Sequence, residues 1–158
     1  MSKLYVNEVH SKTGSTKALE ISSNGVVQQP KVPAVHGVNL TTRTGSSVKF
    51  TGWTIRVDNN SDWSNDEFTC PVDGIYEVTA NIWRSSGTVQ YNIRRNGTSE
   101  AAVRQSTTDD EGANMTILLD CSASDTIDFY RDNMTGTVYG SSVKPYDSLT
   151  SFTIKLVG

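Results

Sequence analysis

The side chains that could hold a cation gather in one stretch. Asp58-Asn-Asn-Ser-Asp62, followed by Asp66 and Glu67, partly matches the Asp-x-Asn-x-Asp spacing of a calcium loop. Calcium needs a cage of carboxylate and carbonyl oxygens around a sharp glycine turn, closed by a bidentate glutamate. Here Trp63 stands at the glycine position and Thr69 at the glutamate position. The stretch therefore reads as a solvated loop with Asx turns. Asp58, Asp62 and Asp66 stay as its calcium candidates, and no other cofactor is expected. Asp109-Asp-Glu111 reads as a hairpin tip.

Other chemistry is sparse. His10, His36, Cys70 and Cys121 show no zinc-ligand spacing, and neither histidine lies near a serine or cysteine in a nucleophile motif. The cysteines read as two small buried thiols, with their pairing left open. Carboxylate pairs occur only in loops, so a non-enzymatic protein is expected. Five Asn-x-Thr/Ser matches, at Asn39, Asn59, Asn96, Asn114 and Asn133, suit chance in so Asn- and Thr-rich a chain. Sugar rings stack on exposed aromatics, which makes Trp63 and Tyr146 the candidate ligand residues in loops. Trp53 reads instead as part of a strand, Trp53 to Val57, packing on its own sheet.

Composition narrows the class. With 158 residues, 35% hydrophobic and 20% charged, the chain can bury a real core without metal or disulfide staples. The formal charge of −3 and the interspersed signs exclude a phosphate-neutralising face, so no nucleic acid is expected as a partner. No apolar run approaches a bilayer span, so membrane insertion is not expected either. Met1 to Val6 lacks the apolar stretch of a secretory signal, and synthesis in a cytoplasm is the expectation.

The elements that must position these residues are strands. Apolar residues alternate in short runs bounded by Gly, Asn, Asp and Ser, and no amphipathic helix is visible. The clearest strand is Ile75 to Trp83, with Tyr76, Val78, Ala80 and Ile82 on the face expected to point into a core. Val89 to Ile93 runs into Arg95-Asn96-Gly97, a hairpin signal. Ala101–Ser106, Asn114–Leu119, Thr126–Tyr130, Val138–Tyr139 and Ser151–Val157 follow, and Val32–Val38 and Val48–Phe50 precede. Such a count predicts an all-β, two-sheet antiparallel jelly-roll sandwich. Residues 1–31 differ: Leu4–Val9 and Ala18–Ile21 read as strands too poor in apolar residues to fold alone. They are expected to form a short extended anchor ahead of a domain spanning 32–158, with the boundary near Pro30.

Phe68-Thr-Cys-Pro-Val-Asp-Gly-Ile-Tyr-Glu-Val78 resembles the F-x-x-P-x-x-G-x-Y signature of the globular head of complement component one q, a tumour-necrosis-factor-like jelly roll. Pro33-Ala-Val-His36, Arg94-Arg-Asn-Gly97, Leu119 to Phe129 and Ser151 to Leu156 are similar to further elements of that family. Ala123-Ser124 departs from its usual Gly, and Lys155 from its usual small or apolar residue. The resemblance implies a homotrimer, and Ile75, Trp83, Phe129 and Phe152 are the expected interface residues.

A second resemblance lies upstream. Tyr5 to His10 followed by Ala18 to Gly25 is similar to the start of phage tail-fibre and virion proteins. It implies particle docking through Leu4, Tyr5, Val6, Val9, Leu19 and Ile21, with other virion proteins as partners. The expected role is a bacteriophage tail-fibre or tail-tip protein, assembled in the host cytoplasm and located in the virion. Its outward jelly roll would attach to a host surface glycan or protein. The alternatives are a capsid decoration or head-fibre protein, or a soluble complement-head-like lectin.

Overall fold

The computed structural model describes residues 8–10, 17–21, 23, 27–28, 32–38, 47–84, 87–107, 111–133, 135, 137–139 and 149–158. Among them every regular element is a strand. The chain divides into two compact units, Met1–Val32 and Pro33–Gly158. In the first, β1 (Glu8–His10), β2 (Lys17–Ile21) and β3 (Val27–Gln28) form an antiparallel sheet in that order. Leu4, Tyr5 and Val6 lie outside the described residues.

The second unit is a sandwich of two antiparallel sheets. One carries β4 (Ala34–Val38), β6 (Thr54–Asp58), β9 (Gly74–Arg84), β12 (Glu111–Cys121) and β14 (Ser151–Leu156), in the order β12-β9-β14-β4-β6. The other carries β7 (Trp63–Ser64), β8 (Glu67–Thr69), β10 (Gly87–Arg95), β11 (Thr98–Thr107) and β13 (Thr126–Arg131), in the order β11-β10-β13-β8-β7. Strand β5 (Val48–Lys49) also pairs with β13. Among the described residues Val138 forms an isolated bridge to Arg84 where a short strand was expected.

Strand β9 organises the first sheet. Tyr76, Val78, Ala80 and Ile82 are completely buried, as their alternation requires. The register sets Tyr76 between Leu119 and Leu156, Val78 between Ile117 and Ile154, and Ala80 between Met115 and Phe152. Ala80 is the small residue in its row, which leaves room for the Phe152 ring. Gly37 of β4 does the same from the other side, since a Cβ there would sit 2.7 Å from Phe152 Cζ.

That ring belongs to an aromatic cluster joining the sheets. Trp53 meets Phe152 edge-on at 4.8 Å, and Phe129 lies 4.9 Å from Phe152. Phe129 and Phe152 are only 0% and 1% exposed, so the expectation that they line an interface between chains is corrected. Alternation puts Phe129 in phase with buried Ile127, and Phe152 in phase with buried Ile154. Each fully buried ring contributes roughly 1.5–3 kcal/mol by leaving water.

The signature segment acquires physical reasons. Phe68 packs its edge on Tyr76 at 5.7 Å, and the Tyr76 hydroxyl donates to the Val72 carbonyl at 2.9 Å, closing the turn after Pro71. Gly74 has φ 155°, and a Cβ there would lie 2.7 Å from the Gly158 carbonyl oxygen, which accepts from Ile75 N. A side chain at Gly74 would collide with that bond. The hairpin at Asn96-Gly97 has both residues at positive φ (51° and 77°) with Arg95 facing Thr98, the arrangement a two-residue turn needs.

Burial pushes the Tyr76 phenol up to about 12 from an ordinary 10.0. A phenol whose folded value is raised adds stability that is intact below the unfolded value and disappears as pH climbs toward the folded one. We therefore expect wild-type stability in urea titrations to fall between pH 10 and about 12. Tyr76→Phe should lose about 1 kcal/mol at neutral pH, from the missing hydrogen bond. It should also decline less steeply through the alkaline interval, with buried Tyr91 supplying the remaining slope. An unchanged alkaline slope would count against this account.

Candidate functional site

The outward face of the five-stranded sheet is the best-formed candidate site. Alternation on β9 sends Ile75, Glu77, Thr79, Asn81 and Trp83 outward, opposite the core set. On β12 the register brings Asp120, Leu118, Thr116, Asn114 and Gly112 beside them. Strand β14 adds Lys155, Thr153 and Ser151, and His36 of β4 lies next to Thr153.

Apolar residues mark both ends of this face. Leu118 is 63% exposed and lies diagonal to Ile75 in the register. Val157, also exposed, donates its backbone N–H to the Ile75 carbonyl at 2.8 Å. Leu118 was missed as a site residue. The signal was present: three consecutive apolar residues, Ile117-Leu118-Leu119, cannot all face one side of a strand. At the far end half-buried Trp83 lies across the β12 backbone. A Cβ at Gly112 would stand 2.7 Å from its Cδ1 and 2.8 Å from its Cε2, so glycine there makes room for the indole.

Several polar side chains between these ends already have partners, on other side chains or on the backbone. Thr79 and Thr116 share a hydroxyl hydrogen bond of 2.9 Å. His36 Nδ1 lies 2.8 Å from the Phe152 carbonyl and 3.2 Å from Thr153 Oγ1. Lys155 Nζ pairs with Glu77 Oε1 at 2.9 Å, and Asn81 donates to the Leu149 carbonyl. Covering such a face strands few groups, and stranded groups are what make polar burial costly.

The outer face of the other sheet is different in kind. Arg94 makes a fork to both oxygens of Asp128 at 2.7 and 2.6 Å and stacks 4.0 Å above Tyr130. The hydrogen bond to Asp128 holds the guanidinium above its ordinary value, against the effect of burial. Gln90 donates to Asp132 and Lys49 pairs with Glu67. These are polar and charged side chains locked in place by one another.

The remaining predicted residues fall apart into structural roles. Asp58 Oδ1 accepts from Asp62 N at 2.9 Å and Oδ2 from Trp63 N at 3.3 Å, forming an Asx-type turn. Asp66 Oδ1 accepts from Gly52 N at 2.9 Å. Asn65 and Asp66, with φ of 51° and 57°, make the two-residue turn between β7 and β8. Among the described residues no group of three or more carboxylate, cysteine or histidine side chains is arranged to hold a metal. Trp63 belongs to strand β7, and its ring stacks on Phe152 at 4.6 Å. The expected loop position of Trp63 is corrected to strand β7, where one face of its ring is covered by the core. Trp53 is buried, as expected for a strand-packing role. Tyr146 lies outside the described residues, and Ile21 is exposed.

At the Ile75 end of the sandwich, Asp125 accepts from Asn96 Nδ2 at 2.7 Å and from Ser122 N at 3.0 Å. Those bonds, the Asn96 one first, hold its carboxyl below the ordinary range. Arg95 reaches across to Glu100 and to the Asp120 carbonyl. This network fixes the turn at 122–125 against the Asn96 hairpin.

No protein-family model matches the chain, and no curated protein matches it. Solved structures do. The globular domain of zebrafish complement 1qA protein superposes with a TM-score of 0.61 at 16% identity, covering 81% of this chain and 98% of that one. Murine APRIL gives 0.64 at 13% identity, over 80% of this chain and 100% of the other. The Eiger TNF of S. frugiperda gives 0.61 at 12%, over 80% and 93%. At these identities the likeness shows the fold, a jelly roll of the complement-head and tumour-necrosis-factor type.

The packing of Trp83 on Gly112 gives a local test. Gly112→Ala should displace the indole and shift the Trp83 Nε1–H resonance while leaving those of Trp53 and Trp63 in place. An unmoved Trp83 resonance would show that the indole does not lie over β12.

Proposed function

We propose that the chain is a non-enzymatic homotrimeric module in which the outward face of the five-stranded sheet packs against neighbouring copies. The exposed apolar set at Leu118, Ile75 and Val157, with Trp83 at the other end, carries this reading. Apolar residues grouped on one sheet face need a covering surface. The internally paired polar groups between them lower the cost of supplying one. A three-fold arrangement is the assembly of the jelly-roll class that the sequence signature resembles. A closed ring of copies also uses one surface without leaving an open-ended filament.

Within that reading, residues 1–31 dock the trimer on a particle and the jelly roll faces outward. The order of the two segments supports a bacteriophage tail-fibre or tail-tip role, with the virion as its location. The outward end would then meet a host surface glycan or protein. Capsid decoration or a head fibre differs only in the place of docking. A soluble complement-head-like lectin has the same fold and trimer and requires no docking segment.

Leu118→Arg should convert the trimer to folded monomers, read by light scattering together with far-ultraviolet circular dichroism. A variant that remains trimeric would remove this face from the interface. Deleting residues 1–31 should leave the trimer intact and abolish incorporation into particles. Continued incorporation would place the anchor elsewhere.

A further inference from the structure

Cys70 and Cys121 come from opposite sheets and meet in the interior. Cys70 follows the last residue of β8, and alternation with Phe68 turns it inward. Cys121 ends β12 in register with Gly74 and continues the inward set of Leu119. Both are free thiols and both are buried. Both belong to the same buried core cluster. The backbone enforces this meeting. Cys70 N donates to the Asp125 carbonyl at 2.8 Å, and the Cys70 carbonyl accepts from Ser124 N at 2.7 Å. Asp125 N in turn donates to the Ser122 carbonyl at 3.0 Å, closing the turn that begins at Cys121. The chain at Cys70 is thus docked on the turn that Cys121 opens.

We propose that Cys70 and Cys121 form an inter-sheet disulfide site, filled by thiol–disulfide exchange when the chain folds with a small-molecule disulfide such as oxidised glutathione. One cysteine thiolate attacks a sulfur of oxidised glutathione, breaking its S–S bond and expelling one glutathione thiolate. The second cysteine thiolate attacks the protein sulfur of that mixed disulfide and expels the other. Two cysteine thiols are oxidised, one disulfide is reduced to two thiols, and the cysteine protons pass through solvent to the glutathione thiolates.

The exchange belongs to folding rather than to the finished protein. Thiolate is the attacking species, and burial raises both native thiols away from it. A chain folded under reducing conditions keeps its dithiol when later moved to an oxidising medium. A chain folded with the oxidant carries a bridge across the two sheets and loses part of the freedom of its unfolded state.

The test is refolding of the full chain in a glutathione redox buffer, followed by alkylation and peptide mapping. The expected product is one Cys70–Cys121 linked peptide, lighter by two hydrogens. It should come with a higher urea midpoint than the reduced protein, while native reduced protein resists alkylation and oxidation. Full refolding with both cysteines alkylated, or with glutathione adducts alone, would overturn the proposal. The double variant Cys70→Ala, Cys121→Ala should show the same midpoint in both buffers. A shift as large as that of the wild type would also overturn it.

Discussion

Strand β9 has to satisfy two faces at once, and the rest of the jelly roll depends on how it does so. It lies second from an edge of its sheet, paired along its length with β12 and over its middle with β14. Its inner face is one wall of the core, and its outer face is the centre of the proposed interface. A slip of one residue would exchange the two, placing Glu77 and Trp83 inside and Tyr76 and Ile82 outside. Several bonds pin the phase. At one end Ile75 N donates to the Gly158 carbonyl and the Tyr76 hydroxyl reaches Val72. At the other, Asn81 donates to the Leu149 carbonyl and Trp83 N to Thr150 Oγ1.

The two outer faces of the sandwich show different solutions to the same problem. The face built on β10 and β13 carries fixed ion pairs, Arg94 with the buried Asp128 and Lys49 with Glu67. The face built on β9 and β12 carries apolar residues at its ends and short polar pairs between them. Leu118 exposed beside Glu77 is hard to explain as a solvated surface and simple to explain as a contact. The same division separates the core aromatics, which join the sheets, from Trp83, which lies on the outside of one.

Much of the fold was legible because its signals are local. The period-two pattern from Ile75 to Trp83 needs only the pleat of a strand, and Asn96-Gly97 needs only the tolerance of those residues for positive φ. The Phe68–Val78 signature pointed to the right fold because it encodes a turn, an edge contact and a close backbone approach in one stretch. Other features depend on distant partners. Phe129 and Phe152 could be assigned to either face until their registers with β10 and β9 were known. Strand β11 was weak in sequence because Ala101, Ala102 and Ser106 have little preference of their own and are held by β10. Asp58 and Asp66 looked like metal ligands because the backbone N–H groups they accept from, at Asp62, Trp63 and Gly52, leave no mark in the sequence.

The central claim is that the outward face of β9 and β12 is covered by other copies of the chain. Sedimentation equilibrium of the unmodified protein across micromolar concentrations tests it most directly. The account predicts a single species with three times the mass of the chain. A stable monomer throughout that range would contradict it.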